Sequence, residues 1–308
     1  MSLTIGIIMN QENSISIASS AMLVELSISG WSARKLDKRA SAQVDITNST
    51  KTKAGNYNKN LLAGTGFLDT ITKYAAQARA WHLSQTLPWS DNGLRLLPMG
   101  RFLEYKEQLN TLEANYMALV DKFVVAYPNL VSAAAFQLGD LFDRSEYPEV
   151  EKIPAKFKFS VNYLPVPMAG DFRVDIGEEA KAELVKSCED AYNERLGNAM
   201  KDAWDRLHGC LTRMSDRLAD EVVDKEVDGE IVQVTQRKRI HDTVIEHGVE
   251  LVELLKHFNL TGDANMEMAR KDLERAIGGH NADDLKDSEA IRMGVKNKVD
   301  AILSKFSF

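Results

Sequence analysis

The sequence Trp31-Ser32-Ala33-Arg34-Lys35-Leu36-Asp37-Lys38-Arg39 begins the stretch around which this 308-residue chain is organised, and the stretch extends to Arg101. Residues 31–101 contain 11 lysines and arginines against four aspartates, a net charge of +7, so the other 237 residues carry −14 within a total of −7. Three of the four tryptophans lie in the same stretch. Cations interleaved with aromatic rings favour single-stranded nucleic acid as a ligand, because cations contact phosphates while bases of any sequence stack on rings.

The sequence therefore predicts that this protein binds single-stranded DNA without strong sequence preference, and RNA stays an alternative because nothing identifies a reader of the 2′-hydroxyl. The predicted binding residues are Trp31, Arg34, Lys35, Lys38, Arg39, Lys51, Lys53, Lys59, Trp89 and Arg95. Scattered lysines and arginines usually form a solvated face, and only the contrast with the acidic remainder favours a binding site here. Aromatic rings dominate core burial, so Trp81 and Trp89 are each more often core residues than base platforms. Trp31 follows Gly30 at a predicted strand end, where both interpretations stay open.

Composition sets the class of protein, since 44% hydrophobic and 27% charged residues are typical of a soluble globular chain. Residues 1–8 are apolar but lack the basic flank of a signal peptide, and no window is expected to approach the roughly 20 apolar residues of a membrane span. Cys188 and Cys210 lie on one predicted helix, on the order of 33 Å apart at 1.5 Å per residue, so they do not bridge each other. A reduced, cytoplasmic location follows as the expectation.

The first half of the chain predicts a small antiparallel sheet together with helices. Residues 21–31 alternate apolar and polar side chains, as does the segment from Phe157 to Tyr163, and both patterns predict strands. Asp91, Asn92 and Gly93 between two short apolar runs predict a β-hairpin. Helical stripes occupy residues 68–82 and 101–142, the latter divided by Pro128 into two helices, and residues 48–60 are predicted to form a mobile basic loop.

The second half predicts long helices. Apolar residues from Leu184 to Val222 recur with a mean step of 3.8, which predicts one long helix, and a turn at Asp228 and Gly229 leads to a second, antiparallel helix that ends near Phe258. Shorter helices are expected at 265–277 and 288–303. The predicted fold is α+β and mainly α, unlike the oligonucleotide-binding barrel, with a basic domain at 1–176 and an acidic helical domain at 177–308. Long helices with one apolar stripe need a partner surface, so a homo-oligomer is expected.

Motifs for catalysis, metals and cofactors are missing from the sequence. Gly64 and Gly66 lack the lysine and hydroxyl of a phosphate-cradling loop, and His241 and His247 are six apart, on different helix faces. The carboxylates Asp216, Asp220, Glu221 and Asp224 form a solvated helix face more often than paired catalytic acids. The sequence thus predicts a protein that is not an enzyme and has no cofactor. A second basic cluster, Arg237 to Arg239, would either extend a binding groove or end a hairpin.

Several short motifs between residues 24 and 180 resemble a family of uncharacterised phage and bacterial proteins that are often encoded beside MoxR-like ATPases. They are Trp31-Ser32-Ala33-Arg34-Lys35-Leu36-Asp37, Lys59-Asn60-Leu61-Leu62, Thr86-Leu87-Pro88-Trp89, Gly93-Leu94-Arg95-Leu96-Leu97-Pro98 and Glu146-Tyr147-Pro148 followed by Phe157. In size and build the chain is also similar to the single-stranded-DNA-binding RNA polymerase cofactors of certain lytic phages.

These resemblances imply two different functions. The phage cofactors imply a protein that binds melted promoter or replicating DNA and recruits a polymerase. The neighbourhood of MoxR-like ATPases implies instead a non-enzymatic adaptor or scaffold, in which the basic stretch contacts an acidic protein partner. No specific motif supports either resemblance beyond Gly177.

Overall fold

The computed structural model describes residues 17–167, 178–227 and 230–306. The chain forms two compact units, each discontinuous in sequence. We call Met1–Val24, Gln85–Phe102 and Tyr163–Phe308 the bundle unit, and Glu25–Ser84 and Leu103–Asn162 the basic unit. The predicted boundary between 176 and 177 lies outside the described residues, and the units divide the chain differently. The reason is packing, since Leu23, Leu87 and Trp89 share one apolar core with the C-terminal helices.

The strands are β1 Ala21–Ser29, β2 Arg34–Leu36, β3 Asn58–Asn60, β4 Leu87–Pro88, β5 Arg95–Pro98, β6 Lys158–Pro165, β7 Asp220–Val227 and β8 Glu230–Arg237. The α-helices are α1 Lys38–Thr47, α2 Phe67–Ser84, α3 Phe102–Leu138, α4 Glu178–Leu218, α5 Thr243–Phe258, α6 Ala264–Ile277, α7 Ala282–Asp287 and α8 Glu289–Lys305. The described chain is therefore mainly helical with a small antiparallel sheet, which confirms the predicted fold class.

The sheet has the strand order β4-β5-β1-β6, so it contains both predicted strands and the predicted hairpin. In the bundle unit β1 pairs antiparallel with β5, from Ala21 opposite Pro98 to Val24 opposite Arg95. Gly93 has a φ of +89°, the left-handed conformation that a tight hairpin turn requires and that glycine adopts without strain. The local turn chemistry thus determines this element.

In the basic unit α2 and α3 pack against each other. The Phe67 and Phe123 rings lie 6.3 Å apart, and at the other end of α2 the Nδ1 atom of His82 is 2.7 Å from the hydroxyl of Tyr105. The two helices are therefore antiparallel. The prediction that Pro128 divides α3 into two helices is wrong. Proline removes one backbone hydrogen bond, and the burial of side chains on both sides of it, at Tyr127 and Val131, holds the helix together.

One helical stretch, Met99–Leu141, is long and apolar enough to cross a membrane by length and composition, with a mean hydropathy of 1.3 over an 18-residue window. The expectation that no window would reach this level is therefore wrong. Of the window, 28% is buried, and α3 places Tyr116, Val120 and Phe123 in the core of the basic unit. A core helix passes the same test.

In the bundle unit α4 and α5 form the predicted antiparallel helical pair. Met214 Sδ of α4 lies near Gly248, and the Arg206 guanidinium of α4 is 5.2 Å from the Phe258 ring near the other end of α5. The helix predicted up to Val222 ends at Leu218 instead, because the chain there becomes the β7–β8 hairpin. The predicted turn at residues 228–229 lies outside the described residues. α6 and α8 confirm the two shorter predicted helices.

Candidate nucleic-acid interface

Residues 34–60, which we call the basic segment, form a small substructure of β2, α1 and β3. β2 and β3 pair antiparallel, with Arg34 opposite Asn60 and Leu36 opposite Asn58. The prediction of a mobile loop at residues 48–60 is wrong at its end, which is β3. Inside the segment, the Ser41 hydroxyl accepts a hydrogen bond of 2.9 Å from the amide of Tyr57, which ties α1 to the returning chain.

Six of the predicted phosphate-binding cations are exposed on this segment: Arg34, Lys35, Lys38, Arg39, Lys51 and Lys53. Within the part of the chain that the structure describes, none of the six has an ion-pair partner. The two aspartates of the segment contact other groups: Asp37 forms an ion pair with Lys59, and Asp45 accepts a hydrogen bond from the amide of Ala54. The positive charge of the six side chains is therefore available to a ligand.

The positions of Lys38 and Arg39 also favour an anionic ligand. Both lie in the first turn of α1, which contains no acidic residue. The positive end of a helix dipole disfavours cations, by about 0.3 to 1 kcal/mol each, so the stability of α1 does not explain them. The N-terminus itself is capped by Asp37, whose Oδ1 accepts a hydrogen bond of 2.9 Å from the amide of Ala40, so a phosphate would contact the Lys38 and Arg39 side chains and not the amides of the helix.

Lys59 does not belong to this set, and its prediction as a phosphate contact is wrong. Only 4% of its side chain is exposed, and its Nζ atom lies 2.7 Å from Glu146 Oε2, 3.2 Å from Asp37 Oδ2 and 2.7 Å from the carbonyl of Leu141. Burial lowers the pKa of Lys59, but the hydrogen bonds to Glu146 and Asp37 outweigh burial and raise that pKa above its ordinary value. This lysine anchors the basic segment to the segment that follows α3.

Trp31 is half-buried in the basic unit. Its ring lies 5.9 Å from Tyr127 and 6.4 Å from Phe123, and the ammonium of Lys156 is 5.5 Å from its centroid. A base stacked on the face that Lys156 covers would displace that side chain. The role of Trp31 as a stacking residue stays a prediction, with this competing contact.

Trp89 and Arg95 are wrongly predicted as binding residues. Both belong to the bundle unit, and Trp89 is only 4% exposed in its core, where its ring packs edge-on against Tyr192 at 5.4 Å. Arg95 is half-buried and donates from Nη2 to the carbonyl of Thr86 at 2.8 Å and from Nε to its hydroxyl at 3.1 Å. Burial lowers the pKa of Arg95, as expected for a guanidinium inside the fold.

The second basic cluster also lies in the bundle unit and ends a hairpin, since β8 ends at Arg237. Arg237 pairs with Glu289 at 2.9 Å, and Lys238 pairs with Asp216 at 2.6 Å. These two charges are thus neutralised within their own unit. Of the two alternatives for this cluster, the structure supports the end of a hairpin.

A cleft between α2 and α3 was missed as a site by sequence reasoning. Lys73 and Tyr74 of α2 face Asn115 and Lys122 of α3 across it. All of its lining residues belong to the basic unit. The signal in the sequence was weak, because the α3 residues lie some 40 positions away and look like an ordinary helix surface.

No protein family, curated protein or solved structure matches this chain. The residues themselves therefore carry the functional argument. Among the described residues, no three histidine, cysteine or carboxylate side chains come together as metal ligands.

Proposed function

We propose that this protein binds single-stranded DNA through the basic segment, with Arg34, Lys35, Lys38, Arg39, Lys51 and Lys53 contacting phosphates. One observation supports the proposal above the others: all six side chains are exposed and lack an ion-pair partner within the described residues. Exposed cations occur elsewhere in the described chain too, as at Lys186 and Lys201 of α4, but these six lie together within residues 34–53 of one small substructure.

The binding mode follows from the chemistry of these side chains. Exposed ammonium and guanidinium groups contact the phosphates of a strand whatever its base sequence, and each contact releases condensed counterions. On single strands one contact contributes about 0.7 to the slope of log affinity against log salt. Binding therefore depends strongly on salt and weakly on sequence. We further propose that the protein acts in phage transcription or replication, recruits a phage RNA polymerase and forms a homo-oligomer.

The test is fluorescence anisotropy with a labelled single-stranded oligonucleotide of mixed sequence across a salt series. A variant with Arg34, Lys35, Lys38 and Arg39 all changed to Ala should bind more weakly, with a slope smaller by up to about 2.8. The matched control changes four exposed residues of α4, two lysines and two arginines, to Ala: Lys186, Arg195, Lys201 and Arg217. The control should leave the slope nearly unchanged. Absence of wild-type binding at low salt, or equal slopes for the two variants, would refute the proposal.

A second candidate function is that of an adaptor for a MoxR-type ATPase. Apolar side chains on and beside α1 favour it, since Ile46 is 77% exposed, Val44 51% and Tyr57 41%. Exposed apolar groups of this kind often mark protein contacts. The test is a pull-down of this protein from expressing cells. If an ATPase stays bound after nuclease treatment and no DNA is retained, the result would support the adaptor over the DNA-binding function.

A further inference from the structure

The cleft between α2 and α3 has a volume of about 440 Å³ and two helical walls. From α2 it is lined by Thr70, Lys73, Tyr74 and Gln77, and from α3 by Asn115, Ala118, Leu119 and Lys122. This volume lies within the range of small-molecule sites, and one nucleotide is a ligand of suitable size. The cleft is therefore large enough for a single nucleotide unit of a strand.

The charges of the cleft favour an anion. Lys73 and Lys122 stand on opposite walls, both are exposed, and neither has an ion-pair partner in the described parts of the chain. None of the described residues that line the cleft is a carboxylate, although carboxylates outnumber lysines and arginines in the whole chain by 45 to 38. Two unpaired ammonium groups that line one cleft suit phosphate oxygens, which each ammonium contacts as a point charge.

The remaining lining residues distinguish a nucleotide from a simple anion. Tyr74 and Leu119 are half-buried and, with Ala118, give the cleft an apolar part that suits the face of a base. Gln77 and Asn115 carry side-chain amides, each with both donors and an acceptor, which suit the polar edge of any base. A nucleotide supplies an anion and a flat ring in one unit, whereas an acidic side chain supplies only the anion.

We propose that this cleft holds one nucleotide of the bound single strand, with the base against Tyr74 and the flanking phosphates on Lys73 and Lys122. The proposal rests on the proposed function, because the strand is the same one that the basic segment binds. It adds a second contact area in the basic unit, on residues outside the basic segment. A free nucleotide has the same chemistry, and the experiment below separates it from a strand.

The first measurement is binding of an oligothymidylate by fluorescence anisotropy across a salt series. Tyr74→Ala should weaken binding about 5- to 160-fold with the salt slope unchanged, the loss expected for one stacked base. Tyr74→Phe keeps the ring and should bind within about twofold of wild type, since stacking needs only the π-face. Changing Lys73 and Lys122 together to Ala should instead lower the slope by about 1.4.

The second measurement is photo-crosslinking of an oligonucleotide that contains 5-iododeoxyuridine, followed by mass spectrometry of the crosslinked peptide. A crosslink at Tyr74 is expected, and the Lys73 and Lys122 double variant should reduce it. The matched control changes Lys152 and Lys158 to Ala, two exposed lysines of the same unit outside the cleft. Each phosphate contact contributes to the slope of log affinity against log salt. If Lys152 and Lys158 contact no phosphate, replacing them should leave both the slope and the crosslink at Tyr74 unchanged.

The outcomes separate the two proposals. If wild type binds no oligothymidylate at low salt, the proposed function fails and this inference falls with it. The cleft assignment alone is wrong if wild type binds, Tyr74→Ala binds as tightly as wild type, and the Lys73 and Lys122 double variant keeps the wild-type slope and crosslink. Saturation of the cleft by deoxythymidine monophosphate, seen as protection of Tyr74 from crosslinking while strand affinity stays unchanged, would assign the cleft to a free nucleotide and overturn the strand contact.

Discussion

Lys35 and Lys59 face each other in the β2–β3 ladder but have different environments. Lys35 is exposed and has no ion-pair partner in the described chain, whereas Lys59 is enclosed by Asp37, Glu146 and the carbonyl of Leu141. Two of these partners lie more than 80 residues away in sequence. In the sequence Lys35 and Lys59 look alike, as two basic residues of one stretch. Only long-range packing distinguishes them, because it buries Lys59 and leaves Lys35 accessible to a ligand.

Lys59→Met should lower the free energy of unfolding by about 2 kcal/mol, because it leaves two carboxylates and a carbonyl without their cation. The loss should be smaller than that of a fully buried pair, since Asp37 and Glu146 keep 12% and 15% of their side-chain surface exposed. Urea denaturation measures it. Lys35→Met is the control on the same ladder position and should change stability by less than about 0.5 kcal/mol. Equal losses in the two variants would show that the anchor does not exist.

Among the secondary-structure elements, those with strong local signals were predictable. The Asp91-Asn92-Gly93 turn and the alternation around β1 and β6 identified the strands of the sheet, because turn chemistry and side-chain period are local properties. The β7–β8 hairpin was missed because Val222 falls one helical step after Leu218 and so extends the apolar stripe of α4. Local signals for strands were nevertheless present in the β-branched pair Val222 and Val223 and in Ile231, Val232, Val234 and Thr235 of β8.

Helix packing in the bundle unit depends on a glycine that periodicity does not reveal. A Cβ atom on Gly248 of α5 would lie 3.2 Å from Ile277 Cδ1 and 3.5 Å from Met214 Sδ, so three helices converge on this position. A Cβ atom on Gly197 of α4 would have no neighbouring atom of the described chain within 4 Å, so a side chain there meets open space. The two glycines therefore differ in what a side chain would contact.

Gly248→Leu should destabilise the protein by about 1 to 3 kcal/mol, since the leucine side chain overpacks the contact between helices. The same change at Gly197 should stabilise by about 0.5 to 1 kcal/mol, because leucine has a higher helix propensity than glycine and the side chain meets no neighbour. Thermal unfolding of both variants checks the pair. A stabilised Gly248→Leu variant would contradict the close packing of α5.

At the scale of the whole molecule, charge is distributed less sharply than the sequence suggests. The basic unit contains 15 lysines and arginines against 13 carboxylates, whereas the bundle unit contains 23 against 32. The +7 of residues 31–101 is diluted because the acidic residues 103–162 join the same unit and Arg95 and Arg101 join the other. Of the predicted site, the six exposed cations of residues 34–53 stay as candidates, and the tertiary fold removes Lys59, Trp89 and Arg95.

The homo-oligomer stays a prediction, but the reason for it changes. From Tyr192 to Leu218 the apolar stripe of α4 is buried within the bundle unit, with Leu207 and Leu218 fully buried, so this part needs no second copy, whereas Leu184 at its start is 40% exposed. Apolar surface remains instead on the β7–β8 hairpin, where Ile231 is 78% exposed, Val222 62% and Val232 44%. A two-stranded hairpin alone is at best marginally stable, so additional strands would stabilise it.

The two edges of this hairpin differ in charge, and the difference predicts how copies meet. β7 carries the carboxylates Asp220, Glu221, Asp224 and Glu226, and charged edges resist pairing. Residues 231–236 of β8 are uncharged, so an antiparallel pair of β8 strands across a two-fold axis brings no like charges together.

We therefore expect light scattering at micromolar concentration to give wild type the molar mass of a dimer, twice the 34.4 kDa of one chain. Val232→Lys places a charge on the neutral edge and should give a monomer, because lysine on an edge strand blocks strand addition. Val222→Lys is the matched control, an exposed valine changed in the same way on the strand that is already acidic, and it should stay dimeric. A monomeric wild type would refute the dimer. Val222 and Val232 lie on opposite faces of the hairpin, because Val222 pairs with Thr235 and Val232 with Lys225, so dissociation by both variants alike would show that the contact is not confined to the β8 edge.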